Sequence, residues 1–278
     1  MRIPDIDKAA LLGAQNGDLA AIDAVLVGIQ PAVYNLAVRM LGNRDDARDA
    51  CQEILLKVVT HLGNFRHEAA FSTWVYQIAN NHLLTAATRA RELPEVSLDA
   101  LAEKLSLGLA YGLDHGDGAL LTPEDKAIAR EIAVGCTQGM LMCLPRDLRL
   151  AYLLDIVFGL SSEQAAQVLA IESAAYRKRL SRAREQLHKF FTNTCGLVNP
   201  NAACRCERQL PAAKVQRSAG QFKPMLIERR EHAQAEQALG KLMQMGDAAA
   251  VLRAHPNYRA PDAMIAAIRS VLHSETFR

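Results

Sequence analysis

The sequence predicts an all-α fold: two small helical domains joined by a flexible linker, with a helical C-terminal extension. Three observations predict it. Apolar residues recur at three- and four-residue spacing through most of the 278 residues, and no convincing period-two strand interrupts them. The stretch 92–121 breaks that rhythm with Pro94, Gly108, Gly112, Gly116 and Gly118, leaving only a weak helical segment near Leu98–Leu105. Residues suited to helix caps stand in front of several of the periodic runs. The predicted boundaries are 1–91, linker 92–121, 122–192 and 193–278.

In the first domain, Pro31 reads as a first helical residue, and Val33, Leu36, Ala37, Met40 and Leu41 form one apolar stripe that Gly42 ends. Asn43 can cap the next helix, where Asp45 and Asp46 meet the positive end of the helix dipole. Ala47, Ala50, Cys51, Ile54, Leu55, Val58 and Leu62 make its buried face, with Arg48, Asp49, Gln52, Glu53 and Lys57 opposite. Gly63 and Asn64 interrupt the pattern, and NFRHEAAFS reads as a loop. Ser72 is the expected cap of a third helix whose Trp74, Val75, Ile78, Ala79 and Leu83 face inward.

The second domain opens at Thr122-Pro123, a cap followed by a proline at the first turn, with Glu124 and Asp125 behind it. Leu144-Pro145 separates two helices, and Gly159 stops the next. Ser161 and Gln164 have the spacing of a capping box for SSEQAAQVLA. A short turn, Ala170–Glu172, leads into SAAYRKRLSRAREQL, so helix, turn and helix follow at the spacing of a helix-turn-helix motif.

Net charge is only +2, which gives no global field for polyanions, so any affinity for nucleic acid must be local. Residues 173–191 supply it, with six Lys or Arg against the single acid Glu185. On a helical wheel Tyr176, Leu180, Ala183 and Leu187 share a narrow apolar arc, and Arg177, Lys178, Arg179, Arg182 and Arg184 occupy the other side. A merely solvated face would mix acids with its bases. This one favours DNA contact, since Arg and Lys on a recognition helix reach guanines and phosphates.

No apolar run approaches the ~20 residues of a membrane span, and the N-terminus lacks the apolar core of a signal peptide. A cytoplasmic, reducing location is expected, in which the six cysteines do not form a disulfide framework. There is no Gly-rich phosphate loop, H-E-x-x-H or nucleophile elbow, and no catalytic residue is assigned.

The segment YNLAVRMLGNRDDARDACQEILLKVVTHLGNFRHEAAFSTWVYQIANN resembles region 2 of the extracytoplasmic-function (ECF) sigma factors. LPRDLRLAYLLDIVFGLSSEQAAQVLAIESAAYRKRLSRAREQL resembles their region 4, and the two stand in the family's order. The resemblance implies a non-enzymatic initiation subunit that binds core RNA polymerase and promoter DNA. It implies polymerase contact by Asp45, Asp46, Asp49, Gln52 and Glu53. Melting and reading of the start-proximal (−10) element falls to 64–91, with Asn64, Phe65, Arg66, Trp74, Gln77, Asn80, Asn81, Arg89 and Arg91. Reading of the upstream (−35) element falls to Ser173, Arg177, Lys178, Arg179, Arg182 and Arg184. Asn80 stands where the family usually has arginine, Thr85 where it has aspartate, and Ala174-Ala175-Tyr176 replace Gly-Thr-Val. An anti-sigma protein, or inhibition by the chain's own extension, would be the regulating partner.

A minimal member would end near Phe191. Here Cys195, Cys204 and Cys206 follow as C-x8-C-x-C, with His188 seven residues ahead. These four could complete a tetrahedral zinc site, or the thiols alone a copper(I) site; free thiols and a reversible disulfide are the alternatives. Leu226, Ala233, Ala238, Leu239, Leu242 and Met245 look loosely helical, HPNYRAP reads as a break, and PDAMIAAIRSVLHS as a short amphipathic helix that either inhibits or supports the rest. The rival function is a helix-turn-helix activator with a helical metal- or redox-sensing domain.

Overall fold

The structure is a computed structural model and describes residues 2–89, 96–116, 120–219, 248–253, 257–261 and 263–272. The expected helix in 222–247 lies outside them. Among the described residues every regular element is helical. The helices are α1 Lys8–Gln15, α2 Leu19–Leu41, α3 Arg44–His61, α4 Phe71–Arg89, α5 Leu98–His115, α6 Pro123–Met142, α7 Arg146–Tyr152, α8 Ser162–Leu169, α9 Ser173–Thr194, α10 Leu210–Ser218, α11 Ala248–Arg253 and α12 Ala263–Leu272. Two compact units are formed, one within 1–92, 153–177 and 258–278, the other within 93–152 and 178–257.

In the first unit, α2 begins twelve residues before the proline that was expected to open it, at the cap Asp18, and runs through Pro31. An interior proline costs about 3 kcal/mol, because it removes one backbone hydrogen bond and crowds the carbonyl four residues back. That carbonyl belongs to Val27, on the exposed side of the helix, where solvent can take it. Ile22, Val25, Leu26 and Ile29 before the proline are buried together with Val33, Leu36, Ala37 and Val38 after it. At roughly 1.5–3 kcal/mol for each large side chain, this burial outweighs the break. The continuous helix is also long and apolar enough to cross a membrane, against the expectation from sequence, but two thirds of its apolar window is packed in the core.

Gly42 ends α2 in the left-handed conformation at φ 68°, donating its N–H to Val38 O. Asn43 then accepts from the backbone of Asp45 at 2.8 Å and of Asp46 at 3.2 Å. α4 starts at Phe71, so Ser72 lies inside its first turn rather than at its cap. α8 closes on α4 in the same unit: Gln77 Nε2 donates to Gln167 O at 2.9 Å, and Tyr76 meets Phe158 edge-on at 5.7 Å.

The end of the extension belongs to this unit. α12 packs against α2 and α3, and Arg269 pairs with Asp23 through two hydrogen bonds. Ahead of it, Tyr258 exchanges two hydrogen bonds with Asn35: Asn35 Nδ2 donates to Tyr258 O at 2.7 Å, and Tyr258 N donates to Asn35 Oδ1 at 2.8 Å.

The second unit holds α6, whose capping box joins Thr122 and Asp125 as the sequence predicts. Arg149, 5% exposed, donates to the carbonyls of Leu141, Met142 and Leu144 at 2.8–3.0 Å and so closes the turn into α7. Within the expected linker, α5 is an 18-residue helix capped by Ser97. Its glycines are there for close approach: a Cβ at Gly108 would collide with Gln209 Oε1, and one at Gly112 with Arg208 O. Gln209 Nε2 donates to Leu105 O at 2.8 Å, which seats the 3₁₀ turn Glu207–Gln209 on α5. α10 packs its Leu210 and Ala213 on Ile128, Ala129 and Ile132 of α6.

Two outcomes follow from these contacts. Asn35→Ala strands the buried N–H and C=O of Tyr258, so the first unit should lose about 1–3 kcal/mol in urea titration. A truncation ending at residue 257, before Tyr258, should cost more, because it also removes the buried Tyr258, Met264, Ile265 and Ile268 side chains. In the second unit, Lys214 lies 2.6 Å from Asp125, and with the Thr122 bonds it lowers the Asp125 carboxyl to about 2. A group depressed on folding stabilises above its unfolded pKa of about 3.8 and loses that contribution as pH falls toward 2. Asp125→Asn should therefore narrow the stability difference between pH 5 and pH 2, read by thermal melts across that range.

Candidate nucleic-acid interface

The outer face of α9 is basic because its inner face is spent on the core. Tyr176, Ala183 and Leu187 are fully buried and Leu180 is 5% exposed. At 100° per residue this leaves Arg177, Lys178, Arg182 and Arg184 outside, and all four are exposed. Arg179 is half-buried and lies 3.6 Å from Asp147. Ser173 opens the helix half-buried.

The turn that aims α9 is built as the sequence implies. Ser161 Oγ accepts from Gln164 N, and Gln164 Oε1 accepts from Ser161 N, so α8 starts at a closed capping box. Ala170 ends α8 at φ 51°, a left-handed conformation in a residue that carries a Cβ. Glu163, in the first turn of α8, has its carboxyl held below the usual range by hydrogen bonds at the helix start, and Arg177 adds to the effect.

On the first unit, α3 presents Asp45, Asp46, Asp49 and Glu53 to solvent, with Gln52 half-buried beside them. Arg48 lies 3.3 Å from both Asp45 and Asp49. Pairs this exposed contribute little to stability and yield readily to a partner. The face therefore stays acidic while Ala47, Ala50, Cys51, Ile54, Leu55 and Val58 anchor the other side of the helix.

The loop between α3 and α4 is anchored by an aromatic cluster. Phe65 is 5% exposed, with its ring centre 5.3 Å from Trp74, 5.4 Å from Phe71 and 4.5 Å from His67. Gln15 Nε2 holds the loop backbone by donating to Leu62 O and Phe65 O. His67 has φ 59°. Asn64 and Arg66 point outward on either side of the buried Phe65.

The expected base-contacting residues thus divide. Asn64, Arg66 and Asn81 are exposed, while Trp74 and Gln77 are half-buried. Phe65 and Asn80 are buried. Phe65 packs its ring against Phe71 and Trp74 under the loop. Asn80 is 5% exposed, on the same face of α4 as the buried Tyr76 and Leu83, and donates to Asn81 Oδ1 at 3.3 Å. Arg89 is the last residue of α4, and Arg91 lies outside the described residues.

The cysteines gather differently from the expected set. Cys195, Cys204 and Cys206 line a cavity of about 330 Å³ in the second unit, and Cys136 of α6 lines it with them. His188 is exposed and is not among the lining residues. Seven residues before Cys195, it sits on the basic outer face of α9. Sequence distance hid Cys136; only its helical phase with Ile132, Ala133 and Met140 could have pointed to it.

Residues 28–92 match the Sigma-70 region 2 family, and residues 135–187 the Sigma-70 region 4 family. The chain is 33% identical over 187 residues to the RNA polymerase sigma-H factor of Pseudomonas aeruginosa, covering 66% of this chain and 92% of that one. It is 30% identical over 184 residues to the ECF RNA polymerase sigma-E factor of Escherichia coli, covering 65% and 92%. A solved structure of the sigma factor RpoE with the anti-sigma factor NepR from Bartonella quintana aligns at a TM-score of 0.41 and 20% identity, over 60% of this chain and 94% of that one.

The aromatic anchor yields a test. Phe65→Ala should cost about 3–5 kcal/mol of stability and speed amide exchange through 62–70. Arg66→Ala should change stability by less than about 0.5 kcal/mol. Equal effects would mean that Phe65 is not the plug of the loop.

Proposed function

The chain belongs to the ECF sigma factors of RNA polymerase, and we propose from that premise which of its residues carry each step of initiation. It is a transcription initiation factor that directs polymerase to promoters. The observation that carries the assignment of residues is the order of two charged outer faces along one chain: acidic on α3, then basic on α9.

Core polymerase meets Asp45, Asp46, Asp49, Gln52 and Glu53, an exposed acid and amide face suited to a basic helical partner. The upstream element is read by α9. Arg177, Lys178 and Arg182 are available at once, Arg184 and Ser173 flank them, and Arg179 exchanges Asp147 for phosphate. The start-proximal element falls to the 64–91 segment. Asn64, Arg66 and Asn81 make the contacts, Trp74 offers one ring edge, and Arg89 and Arg91 hold phosphates. Gln77 takes part once it gives up Gln167. Phe65 and Asn80 support this surface from within.

We keep 1–91, 92–121, 122–192 and 193–278 as the functional division; the family segments 28–92 and 135–187 support it, while the compact units cut across 122–192 and 193–278. The chain acts where polymerase acts, in the cytoplasm, performs no catalysis and needs no cofactor for initiation. An anti-sigma protein or the extension itself is the regulator we assign. Zinc or copper enters only at the extension's cysteines. An activator with a single helix-turn-helix has no use for a region 2 segment, which leaves that rival without support.

The test is transcription in vitro with core polymerase on the DNA upstream of the protein's own gene. A discrete start is expected with the protein and none without it. Arg177→Ala or Arg182→Ala should weaken promoter binding about 5- to 150-fold if the side chain reads a base. If it holds a phosphate, the salt slope should fall by about one. Unchanged binding in both variants would remove α9 as the reader. Absence of any transcript across candidate promoters would return weight to the activator.

A further inference from the structure

The acidic helix α3 begins with a residue that its position does not favour. Arg44 is the first helical residue, where the positive end of the helix dipole repels a cation. Asp45 and Asp46 next to it, and the Asn43 cap before it, all suit a helix start. What Arg44 gains lies outside the helix. Its guanidinium carbon stands 5.5 Å from the ring centre of Tyr258, close enough for the electron-rich ring to attract the charge.

The same ring receives Arg39 at 5.0 Å. Arg39 belongs to the last turn of α2 and Arg44 to the first residue of α3, with Gly42 and Asn43 as the connection between the two helices. One ring therefore spans the corner at which α2 hands over to α3. The ring is itself held by contacts that involve neither arginine. Its backbone exchanges hydrogen bonds of 2.7 and 2.8 Å with Asn35, and Gln30 Nε2 donates to Pro261 O at 3.3 Å a little further on. Met264, Ile265 and Ile268 of α12 are buried behind it.

We propose that Tyr258 and Arg44 are positioning residues for core polymerase: the ring fixes the first turn of α3, and with it the angle at which Asp45, Asp46 and Asp49 are presented. The proposal rests on the reading that this acidic face meets polymerase. It adds a segment of the C-terminal extension to the equipment of that face, acting through α3 without touching the partner. A merely structural contact would change stability and polymerase binding together. Here the two separate, because removing the Arg44 charge loses the ring contact and also relieves the repulsion from the helix dipole. These effects are similar in size and opposite in sign, so stability should move little while the orientation of the first turn is lost.

The experiment measures binding of the labelled full-length protein to core polymerase, with thermal melts of each variant. Arg44→Gln should weaken binding at least about 5-fold, the lower end of coupling between sites in one protein, with a melting midpoint close to the wild type's. Arg44→Lys, which keeps a cation at the ring, should recover most of the binding. A large fall in the Arg44→Gln midpoint, or unchanged binding, overturns the proposal. Combined with Tyr258→Leu, Arg44→Gln should weaken binding no further than Tyr258→Leu does alone. Additive losses would mean that Arg44 touches polymerase itself, and overturn it. Should Tyr258→Leu fail to fold, amide exchange in free Arg44→Gln decides: it should quicken at 42–46 and 257–260, and unchanged exchange beside weakened binding overturns the proposal. Asp49→Lys in the same assay separates this proposal from the reading beneath it. If Asp49→Lys weakens binding and Arg44→Gln does not, the positioning role falls and the acidic face stands. If Asp49→Lys leaves binding intact, the reading of the face falls and the positioning role falls with it.

Discussion

A buried guanidinium organises the first unit. Arg39 is 1% exposed in the middle of the core face of α2, and a charge there is tolerated only if its donors find acceptors. Its Nη1 donates to the carbonyl and the side-chain oxygen of Asn35, one turn back, and the Tyr258 ring lies 5.0 Å from its carbon. Asn35 is in turn committed to both backbone groups of Tyr258. A residue 223 positions away in sequence is thus part of how α2 accommodates its own arginine. Burial pushes the Arg39 guanidinium below its usual range, though an arginine stays charged in a protein.

The interaction surfaces follow from the same accounting. α3 and α9 each spend one stripe on the core, and helical geometry turns everything else outward. Since the stripe on α3 leaves Asp45, Asp46, Asp49 and Glu53 outside, with Arg48 among them, and that on α9 leaves Arg177, Lys178, Arg182 and Arg184, with Glu185 among them, each surface carries an excess of one sign of charge without any need for a pocket. A nearly neutral chain can therefore carry one cationic and one anionic face.

Local signals were legible, and contacts between distant segments were not. Asn43, Thr122 and Ser161 cap where the sequence says, because a cap needs only the next three residues. Pro31 was misread because local propensity disfavours an interior proline, while the burial that overrides it lies on both sides of the break. Gly108 and Gly112 looked like linker flexibility, yet they are the flat surface against which Arg208 and Gln209 fit, a contact across about a hundred residues. The interface residues were legible as types and less so as orientations. Phe65 and Asn80 carry side chains fit for bases but sit on inward phases of the chain. His188 was paired with Cys195 by proximity in sequence, whereas the cavity selects Cys136, which lies 59 positions before Cys195.

The extension is attached at its two ends by different chemistry. Near α9 it packs Leu210 and Ala213 on α6, adds the Lys214–Asp125 pair, and seats its turn on the glycines of α5. At its other end the attachment is a backbone exchange with a buried asparagine, followed by the Arg269–Asp23 pair on α2. Neither set of partners appears in the other, so losing one does not by itself strand the other's buried groups. The second attachment completes the core of the very unit that presents the acidic face, which argues that residues 258–272 support that unit rather than merely cover it. A group that responds to conditions is then better sought in the first attachment. Each attachment carries one acid–base pair, Lys214–Asp125 or Arg269–Asp23, but the cysteines belong to the first alone.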